Sequence, residues 1–208
     1  MIKGLIFDLG GVVVEWSNST TYRYIEENYG IPEKVFKLVA EKGMPEAQTG
    51  KISEADWMRA TFSYFSQSQS CFDEVWGKTF EAARYNSKLL ELLVELRTAG
   101  YRLAALSNLE PSRAKWLKEH AIDTYFDEIV FSCEVGLRKP DISKCAPENL
   151  EIYRLAMRRL GVGASECLFI DDNANCVDAA ESIGIKSVRF ENFEKLKKEL
   201  RTRGIEIP

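Results

Sequence analysis

The sequence lacks long apolar runs and paired cysteines, and these absences exclude several classes of protein. Its 208 residues contain no run of about 18 apolar residues, so no membrane-spanning helix is expected. The apolar stretch before Asp8 is too short for a secretory signal. The five cysteines are an odd number without a Cys-x-x-Cys pair, which argues against a disulfide framework and against a zinc site. We therefore expect a cytoplasmic protein with reduced thiols.

The sequence also lacks an excess of charge of one sign. Its 28 basic and 32 acidic residues give a formal net charge of −4. This balance provides no general attraction to nucleic acid or to an anionic membrane, so neither is an expected partner. The only histidine, His120, lies near the end of a predicted helix, which favours a surface or capping role over catalysis.

What the sequence does contain is a carboxylate at the end of an apolar run, twice. Residues 1–7 lead into Asp8, and residues 167–170 lead into Asp171 and Asp172. Short apolar runs of this kind predict buried strands of a parallel sheet, and ligands bind just beyond the carboxyl ends of such strands. Neighbouring carboxylates repel one another unless a cation lies between them, and hard oxygen ligands suit magnesium. The sequence therefore predicts a Mg²⁺ site.

Two patterns of apolar residues along the chain predict a core with an inserted helical unit. Between about residue 15 and residue 85, aromatic and aliphatic residues recur at spacings near three and four, without a strand signal. Later in the chain, strands are predicted at 101–106, 128–132, 167–170 and 186–190, and helices at 87–99, 111–119, 150–160, 175–183 and 192–203. This alternation predicts a Rossmann-like, doubly wound parallel α/β sheet. We expect residues 1–14 and 86–208 to form this core, and residues 15–85 to form a helical cap that excludes water and selects the substrate.

Other segments at predicted strand ends carry groups that bind phosphate. Gly10 and its neighbours follow Asp8, and glycines let backbone N–H groups approach an anion closely. Ser107 and Asn108 follow a predicted strand, and Lys139 lies on a loop that a glycine and a proline restrict. Each feature alone is equally typical of a helix cap, a turn or a solvated charge. Their order and their shared position at strand ends favour a phosphate site.

The segments 7–12, 106–108, 136–141 and 169–173 together resemble the four motifs of the haloacid dehalogenase-like hydrolase superfamily. The resemblance covers the predicted core nearly end to end. The opening at residues 8–12, Asp-Leu-Gly-Gly-Val, is similar to that of the branch holding sugar-1-phosphate phosphatases and the phosphatase domain of soluble epoxide hydrolases. The helical segment matches the cap of that branch in position and type. Residues 46–53 resemble, more loosely, the loop that such a cap turns toward the active site.

This resemblance implies a magnesium-dependent phosphatase that acts on a small phosphorylated metabolite. Asp8 would be the nucleophile, attacking phosphorus to form an aspartyl-phosphate that water later cleaves. Magnesium would be held by the Asp8 carboxylate, the Gly10 backbone carbonyl and Asp172, with Asp171 as a further ligand or directly behind them. The resemblance leaves the substrate and the oligomeric state open.

The remaining phosphoryl oxygens would be bound by three catalytic groups. These are the Ser107 hydroxyl, the Asn108 backbone N–H and the Lys139 ammonium, which would stabilise charge that shifts in the transition state. The backbone at Leu9 and Gly10 would complete the substrate-binding loop.

The sequence departs from the family pattern at several positions. Most phosphatases of the superfamily carry an aspartate general acid/base at the position of Gly10, and its absence predicts a preference for good leaving groups such as sugar 1-phosphates, acyl phosphates or aryl phosphates. An acid from the cap, Glu15 or Glu46, is an alternative. Cys176 stands where relatives place Asn or Asp, and we interpret it as a small buried residue at a helix start. The segment 142–151 is longer than in relatives and predicts a surface loop or an oligomer contact.

Two alternatives to the phosphatase stay open at this point. A haloacid dehalogenase would use the same nucleophile without magnesium, but it typically has Ser and Asn in place of Asp171 and Asp172. A nearly silent binding or regulatory module is compatible with Gly10 and Cys176. Hydrolysis of an aryl phosphate with and without magnesium, compared with an Asp8→Asn variant, discriminates between them.

Overall fold

The computed structural model describes residues 1–16, 18–66, 71–140 and 150–207, with the backbone alone for residues 71–73. All but the last two residues of the 142–151 segment therefore lie outside the described residues. The strands are β1 (Gly4–Phe7), β2 (Val14–Glu15), β3 (Arg84–Tyr85), β4 (Arg102–Ser107), β5 (Glu128–Phe131), β6 (Cys167–Asp171) and β7 (Lys186–Arg189). The helices are α1 (Asn18–Tyr29), α2 (Glu33–Ala40), α3 (Met44–Gln48), α4 (Glu54–Tyr64), α5 (Cys71–Ala82), α6 (Ser87–Thr98), α7 (Pro111–Glu119), α8 (Ser132–Val135), α9 (Glu151–Leu160), α10 (Ala174–Glu181) and α11 (Phe193–Thr202).

Five strands form one parallel sheet in the order β5-β4-β1-β6-β7. The central strand β1 pairs with β4 on one side and with β6 on the other, so Phe7 lies opposite both Ala105 and Ile170. Because all five strands run in the same direction, their carboxyl ends meet at one edge of the sheet. This sheet, with helices on both faces, confirms the predicted Rossmann-like α/β fold.

Alternate residues of each strand enter two separate hydrophobic layers. In β1, Leu5 and Phe7 pack in the layer that contains α6, α7 and α11, whereas Ile6 packs in the layer that contains α9 and α10. In β4, Leu103 and Leu106 are likewise divided between the two layers. Successive strand residues point to opposite faces, so a sheet covered on both faces requires apolar residues at nearly every position. That requirement explains why these strands are short apolar runs without alternation in the sequence.

The core elements predicted from residue 86 onward are all present, with ends within two residues of the prediction, and β1 begins at Gly4, three residues into its predicted apolar run. Local capping explains several of these ends: the Asn173 and Asn192 side chains each accept a backbone N–H at 2.9 Å at the starts of α10 and α11. The features that were not predicted include the short helix α8 and a small two-stranded sheet. The two-residue strands β2 and β3 form an antiparallel pair at the two ends of the helices α1–α5.

The helical segment, residues 18–82, has a hydrophobic core of its own. This core includes Ile25, Phe36, Trp57, Met58 and Phe62, all of them buried. The described part of the chain between residues 16 and 83 contains no strand, as the aromatic spacing predicted. No helix among the described residues is long and apolar enough to cross a membrane.

Buried polar contacts join the helical segment to the sheet layer. Glu54, at the start of α4, accepts hydrogen bonds from the Ser112 backbone N–H at 2.9 Å and from the Ser112 hydroxyl at 2.5 Å. Gln48, at the end of α3, donates to Glu110 Oε1 at 3.0 Å. Burial raises the pKa of Glu54, and the hydrogen bonds from Ser112 oppose that shift. These contacts hold the helices over the edge where the parallel strands end.

Candidate active site

Three carboxylates meet at the carboxyl edge of the sheet. Asp8 follows β1 and its backbone N–H donates to the Ile170 carbonyl at 2.8 Å, which places it beside the end of β6. Asp8, Asp171 and Asp172 each present an oxygen within 4.8 Å of the others. Asp8 and Asp171 are buried, whereas Asp172 is exposed toward the cleft. The neighbouring ends of β1 and β6 therefore create the acidic cluster.

The loop after Asp8 fits closely around Asp172. Its turn is closed by hydrogen bonds from Val13 and Val14 N–H to the Leu9 carbonyl at 2.9 and 2.8 Å. Gly11 has φ +75°, and a Cβ on it would lie 2.9 Å from Asp172 Cγ. A side chain at position 11 would therefore both strain the backbone and displace the carboxylate. Glycine at this position lets the loop pack directly against the Asp172 carboxylate.

Lys139 lies among the acids. Its Nζ is 2.8 Å from Asp8 Oδ1 and 2.6 Å from Asp171 Oδ2, and the residue is only 2% exposed. Burial alone lowers the pKa of Lys139, but attraction to Asp8 and Asp171 outweighs it and holds the pKa above its ordinary value. The lysine is therefore a permanent positive charge in the site.

The charges of this cluster, and an oxygen atom in it that lacks a hydrogen bond, suit a divalent cation. Burial raises the pKa of Asp8, with attraction to Lys139 opposing it, and burial and repulsion from Asp8 raise the pKa of Asp172. Asp8 Oδ1 is buried and lies 2.8 Å from Lys139 Nζ in an ion pair, but it accepts no hydrogen bond from the described residues. One ammonium does not balance three carboxylates, and oxygen donors of this kind suit Mg²⁺. The cluster can bind a metal ion.

Both oxygens of Asp171 already have hydrogen-bond partners. Oδ2 accepts from Lys139 Nζ at 2.6 Å, and Oδ1 accepts from the Asn173 backbone N–H at 2.8 Å. Among the described contacts, the Asp172 carboxylate has no such pair of donors. The two adjacent aspartates are therefore unequal, a difference that sequence alone did not reveal.

Asn108 and Lys139 hold each other in place. Asn108 Nδ2 donates to the Lys139 carbonyl at 2.8 Å, and the Lys139 backbone N–H donates to Asn108 Oδ1 at 2.7 Å. This reciprocal pair ties the loop after β4 to the loop that carries the lysine. Ser107, the last residue of β4, is buried and lines the same cleft. The Asn108 side chain thus has a structural role, which the sequence did not predict.

The acids line an open cleft of about 480 Å³. Gly10, Ser107, Asn108 and Lys139 also line it, so the structure brings these predicted residues together. Leu9 is fully buried beneath the loop, and its carbonyl closes the turn. Of the two acids suggested as replacements for the missing general acid, Glu15 lines the cleft, whereas Glu46 lines a neighbouring pocket beside Arg138.

Trp16 occupies the region toward which a side chain at position 10 would project. A Cβ built on Gly10 would lie 3.4 Å from Trp16 Nε1 and 3.6 Å from its Cδ1, which is ordinary contact. The backbone of Gly10 lies outside the left-handed region, so it does not require glycine. The cleft therefore has room for a side chain here and carries none.

Cys176 is buried in α10, as interpreted from the sequence. Its Sγ lies 3.5 Å from the Pro140 carbonyl, and it packs in the layer of α9 and α10 while also lining the cleft. The thiol thus serves as a small packing residue behind Lys139.

Several further residues that line the cleft were not assigned from the sequence, among them Arg113, Gln48 and Arg138. Arg113 lies with its guanidinium 5.0 Å from the Trp16 ring centre, and Gln48 accepts a hydrogen bond from Arg138 at 3.1 Å. Gln48 falls within the 46–53 stretch that resembles a loop facing the active site, which was its only signal. Arg113 lies on α7, beyond the predicted strand-end motif, and no local pattern marks it.

Comparisons with known proteins find a family model and relatives that match most of this chain. The family model described as haloacid dehalogenase-like hydrolase matches residues 2–184. A sesquiterpene phosphatase of Aspergillus oryzae is 26% identical over 184 residues, covering 88% of this chain and 87% of that protein. Drimenol cyclase of Aspergillus calidoustus is 24% identical over 208 residues, and the match covers 96% of this chain but only 36% of the cyclase.

The fold also matches a solved structure. A HAD family enzyme of Bacteroides thetaiotaomicron has a TM-score of 0.76 at 23% identity, covering 94% of this chain and 98% of that chain. The same enzyme has been solved in complex with magnesium and inorganic phosphate, with a TM-score of 0.70 to this chain. At this identity the likeness establishes the fold.

Proposed function

The chain belongs to the haloacid dehalogenase-like hydrolase family, as its motifs predicted, and on that premise we propose that it is a magnesium-dependent phosphatase of a small phosphorylated metabolite. The observation that carries the proposal is the cluster of Asp8, Asp171 and Asp172 around Lys139 in one cleft. Such a cluster attracts a cation, and a cation together with Lys139 attracts a phosphoryl group.

In the proposed reaction, Asp8 attacks phosphorus with a carboxylate oxygen. The bond from phosphorus to the ester oxygen breaks, and the leaving oxygen takes a proton from solvent water. A second water then cleaves the aspartyl-phosphate, which releases inorganic phosphate and regenerates Asp8. Lys139 favours the ionised, nucleophilic form of Asp8, whose pKa burial raises. Lys139 also binds phosphoryl oxygens, together with the Ser107 hydroxyl and the Asn108 backbone N–H.

Magnesium would be held by Asp8, Asp172 and the Gly10 carbonyl. When bound, it would neutralise the attacking carboxylate and the phosphoryl oxygens, which otherwise repel each other. Because both Asp171 oxygens have other donors, we assign Asp171 a supporting role that orients Lys139.

The absence of an acid at Gly10 supports a preference for good leaving groups. General acid catalysis contributes about 10² to 10⁴ in rate, and an alcohol that departs easily depends on it least. Glu15, which lines the cleft, is the alternative proton donor. We also propose that residues 15–85 act as a cap, since Gln48 and Glu54 bring the helical segment into contact with residues beside the cleft.

The test is hydrolysis of p-nitrophenyl phosphate by the purified protein. Activity should require Mg²⁺, disappear in excess chelator, and fall by at least about 10³-fold in Asp8→Asn. Asp178→Asn, an exposed aspartate outside the cleft, is the matched control and should retain activity.

The same assay separates the alternatives. Halide release from 2-chloropropionate that persists in chelator would identify a dehalogenase instead. Absence of turnover of every phosphate ester tried, with calorimetry showing Mg²⁺ uptake, would identify a binding module. Activity that survives in Asp8→Asn would disprove the proposed nucleophile.

A further inference from the structure

A second cavity, of about 140 Å³, lies inside the helical segment and adjoins the cleft of Asp8. Four residues line both spaces: Asn18, Met44, Gln48 and Arg113. A molecule whose phosphate is held at Asp8 would therefore enter the second cavity past these side chains. The cavity is thus placed to receive the part of a substrate that lies beyond its phosphate.

The wall of this cavity is largely aromatic and aliphatic. Tyr22, Phe36, Trp57 and Trp76 line it, along with Met58. The indole N–H of Trp57 donates to a backbone carbonyl at 2.7 Å, and that of Trp76 donates to side-chain oxygens at 2.7 and 2.8 Å. Because these donors bond within the protein, the rings present mainly apolar surface to the cavity.

Most polar groups of the wall bond among themselves. The Thr21 and Thr79 hydroxyls bond each other at 2.8 Å, and Gln48 bonds Glu110 at 3.0 Å. Arg113 Nε lies 3.6 Å from Glu110 Oε2, so the two form an ion pair, but both atoms are buried and neither has a hydrogen-bond partner among the described residues. A single hydroxyl could bind at these two atoms, but a polyhydroxylated group would lose most of its contacts with water and gain few other partners in return.

The size of the cavity restricts the ligand to about one ring. Apolar cavities of about 150 Å³ are known to bind benzene, and burial of each CH₂ group strengthens binding by about fourfold. A six-membered ring or a branched chain of five to seven carbons fits the available volume.

We propose that this cavity binds the alcohol part of the substrate, so that the enzyme prefers monophosphates of apolar, ring-sized alcohols or phenols over sugar phosphates. The inference rests on the proposed phosphatase function and narrows its substrate class. Hydrolysis transfers the phosphoryl group to Asp8 and then to water, and the leaving oxygen takes one proton from solvent water as the alcohol leaves the cavity. Phosphates of phenols suit both features of the site. A phenol is apolar, as the cavity requires, and it leaves easily without a general acid at position 10.

The kinetic test compares three phosphates with different leaving groups. Benzyl phosphate and glucose 6-phosphate both release primary alcohols of similar size, one apolar and one polar, and acetyl phosphate is too small to fill the cavity. We expect kcat/KM for benzyl phosphate to exceed that for glucose 6-phosphate by at least about 100-fold. Equal values, or a preference for the sugar phosphate, would overturn the inference.

A pair of alanine-to-leucine variants tests whether the preference for benzyl phosphate arises in the cavity. Ala40 is buried and lines the cavity, whereas Ala60 is exposed on α4 of the same helical segment. Ala40→Leu should lower kcat/KM for benzyl phosphate at least about tenfold more than for acetyl phosphate, while Ala60→Leu should not change that ratio. Equal loss on both substrates in Ala40→Leu, with the fold intact by circular dichroism, would count against the cavity.

A second variant and a binding measurement do not depend on Ala40→Leu folding. Met44→Ala widens the shared border and should raise kcat/KM for 1-naphthylmethyl phosphate, relative to benzyl phosphate, by at least about tenfold. Benzyl alcohol should raise the Tm of the wild type and quench the fluorescence of the tryptophans that line the cavity, and the absence of both effects would overturn the inference. Turnover of acetyl phosphate that needs Asp8 and Mg²⁺, without a preference for benzyl phosphate, refutes this inference alone. Failure to hydrolyse any phosphate refutes the proposed function as well.

Discussion

Replacing Gly10 by aspartate should supply the general acid that the cleft lacks. The position tolerates a side chain, because its Cβ would lie 3.4 Å from Trp16 Nε1 and its backbone is not in the left-handed region. The neighbouring carboxylates of Asp8 and Asp172 would favour the protonated form of the new acid. A protonated carboxyl at this point can donate its proton to the departing oxygen and later remove one from water.

The expected gain depends on the leaving group. A positioned acid contributes about 10² to 10⁴ in rate, equivalent to about 3 to 5 kcal/mol of barrier. Poor leaving groups need this contribution and good ones hardly use it. Gly10→Asp should therefore raise kcat for β-glycerophosphate by at least about 100-fold and change kcat for p-nitrophenyl phosphate by only a few fold.

The adjacent glycine provides the matched control. Gly11→Asp introduces the same residue at φ +75°, with a Cβ 2.9 Å from Asp172 Cγ, so it should displace Asp172 and abolish magnesium-dependent turnover of both substrates. The assay is steady-state release of phosphate, with thermal denaturation to verify folding. If folded Gly10→Asp hydrolyses both esters no faster than wild type, or accelerates both equally, the missing acid does not limit this enzyme.

Two further predictions concern the acid pair and the contact between the helices and the sheet. Asp172→Asn should weaken Mg²⁺ binding by at least about tenfold more than Asp171→Asn, because both Asp171 oxygens already accept hydrogen bonds; calorimetric titration measures this, and the reverse order would contradict the assignment. Glu54→Ala removes the acceptor for the Ser112 backbone N–H and hydroxyl, and should lower the free energy of unfolding by about 1 to 3 kcal/mol in urea titrations. Glu27→Ala, at an exposed acid on α1 of the same helical segment, should change it little, and similar effects of the two substitutions would refute the role of the contact between Glu54 and Ser112.

Most of the sheet could be predicted because its signals are local. A strand covered on both faces must be apolar along its length, and the chain must become polar where it leaves the sheet, so the end of β6 at Asp171 is visible in the sequence. Helix α7 begins with Pro111, a residue suited to the first helical turn, and its predicted bounds agree with the structure. The β2–β3 pair was missed because two residues per strand leave no pattern.

The residues of the candidate site likewise fall into those that the sequence predicted and those that only the structure revealed. Its aspartates and Lys139 were predicted, since acids directly after apolar strands and a lysine on a restricted loop indicate a shared cation and phosphate site at the edge of the sheet. The assignment of Glu46 as a possible proton donor rested on a loose match, and the structure instead places Glu46 beside a different pocket. The reciprocal hydrogen bonds between Asn108 and Lys139 join residues 31 positions apart, and no sequence pattern in either segment indicates this contact.

The sequence by itself determined the succession of strands along the chain, the chemistry at their ends and the family, because burial and charge act on each segment separately. Only the tertiary structure decided how the helical segment closes over those ends. It brought Arg113 and Gln48 to the border of the cleft, made Asp171 and Asp172 unequal, and enclosed an apolar cavity between α1, α2, α4 and α5. These features depend on contacts between residues far apart in the chain, whose distances are set by packing and not by any local pattern.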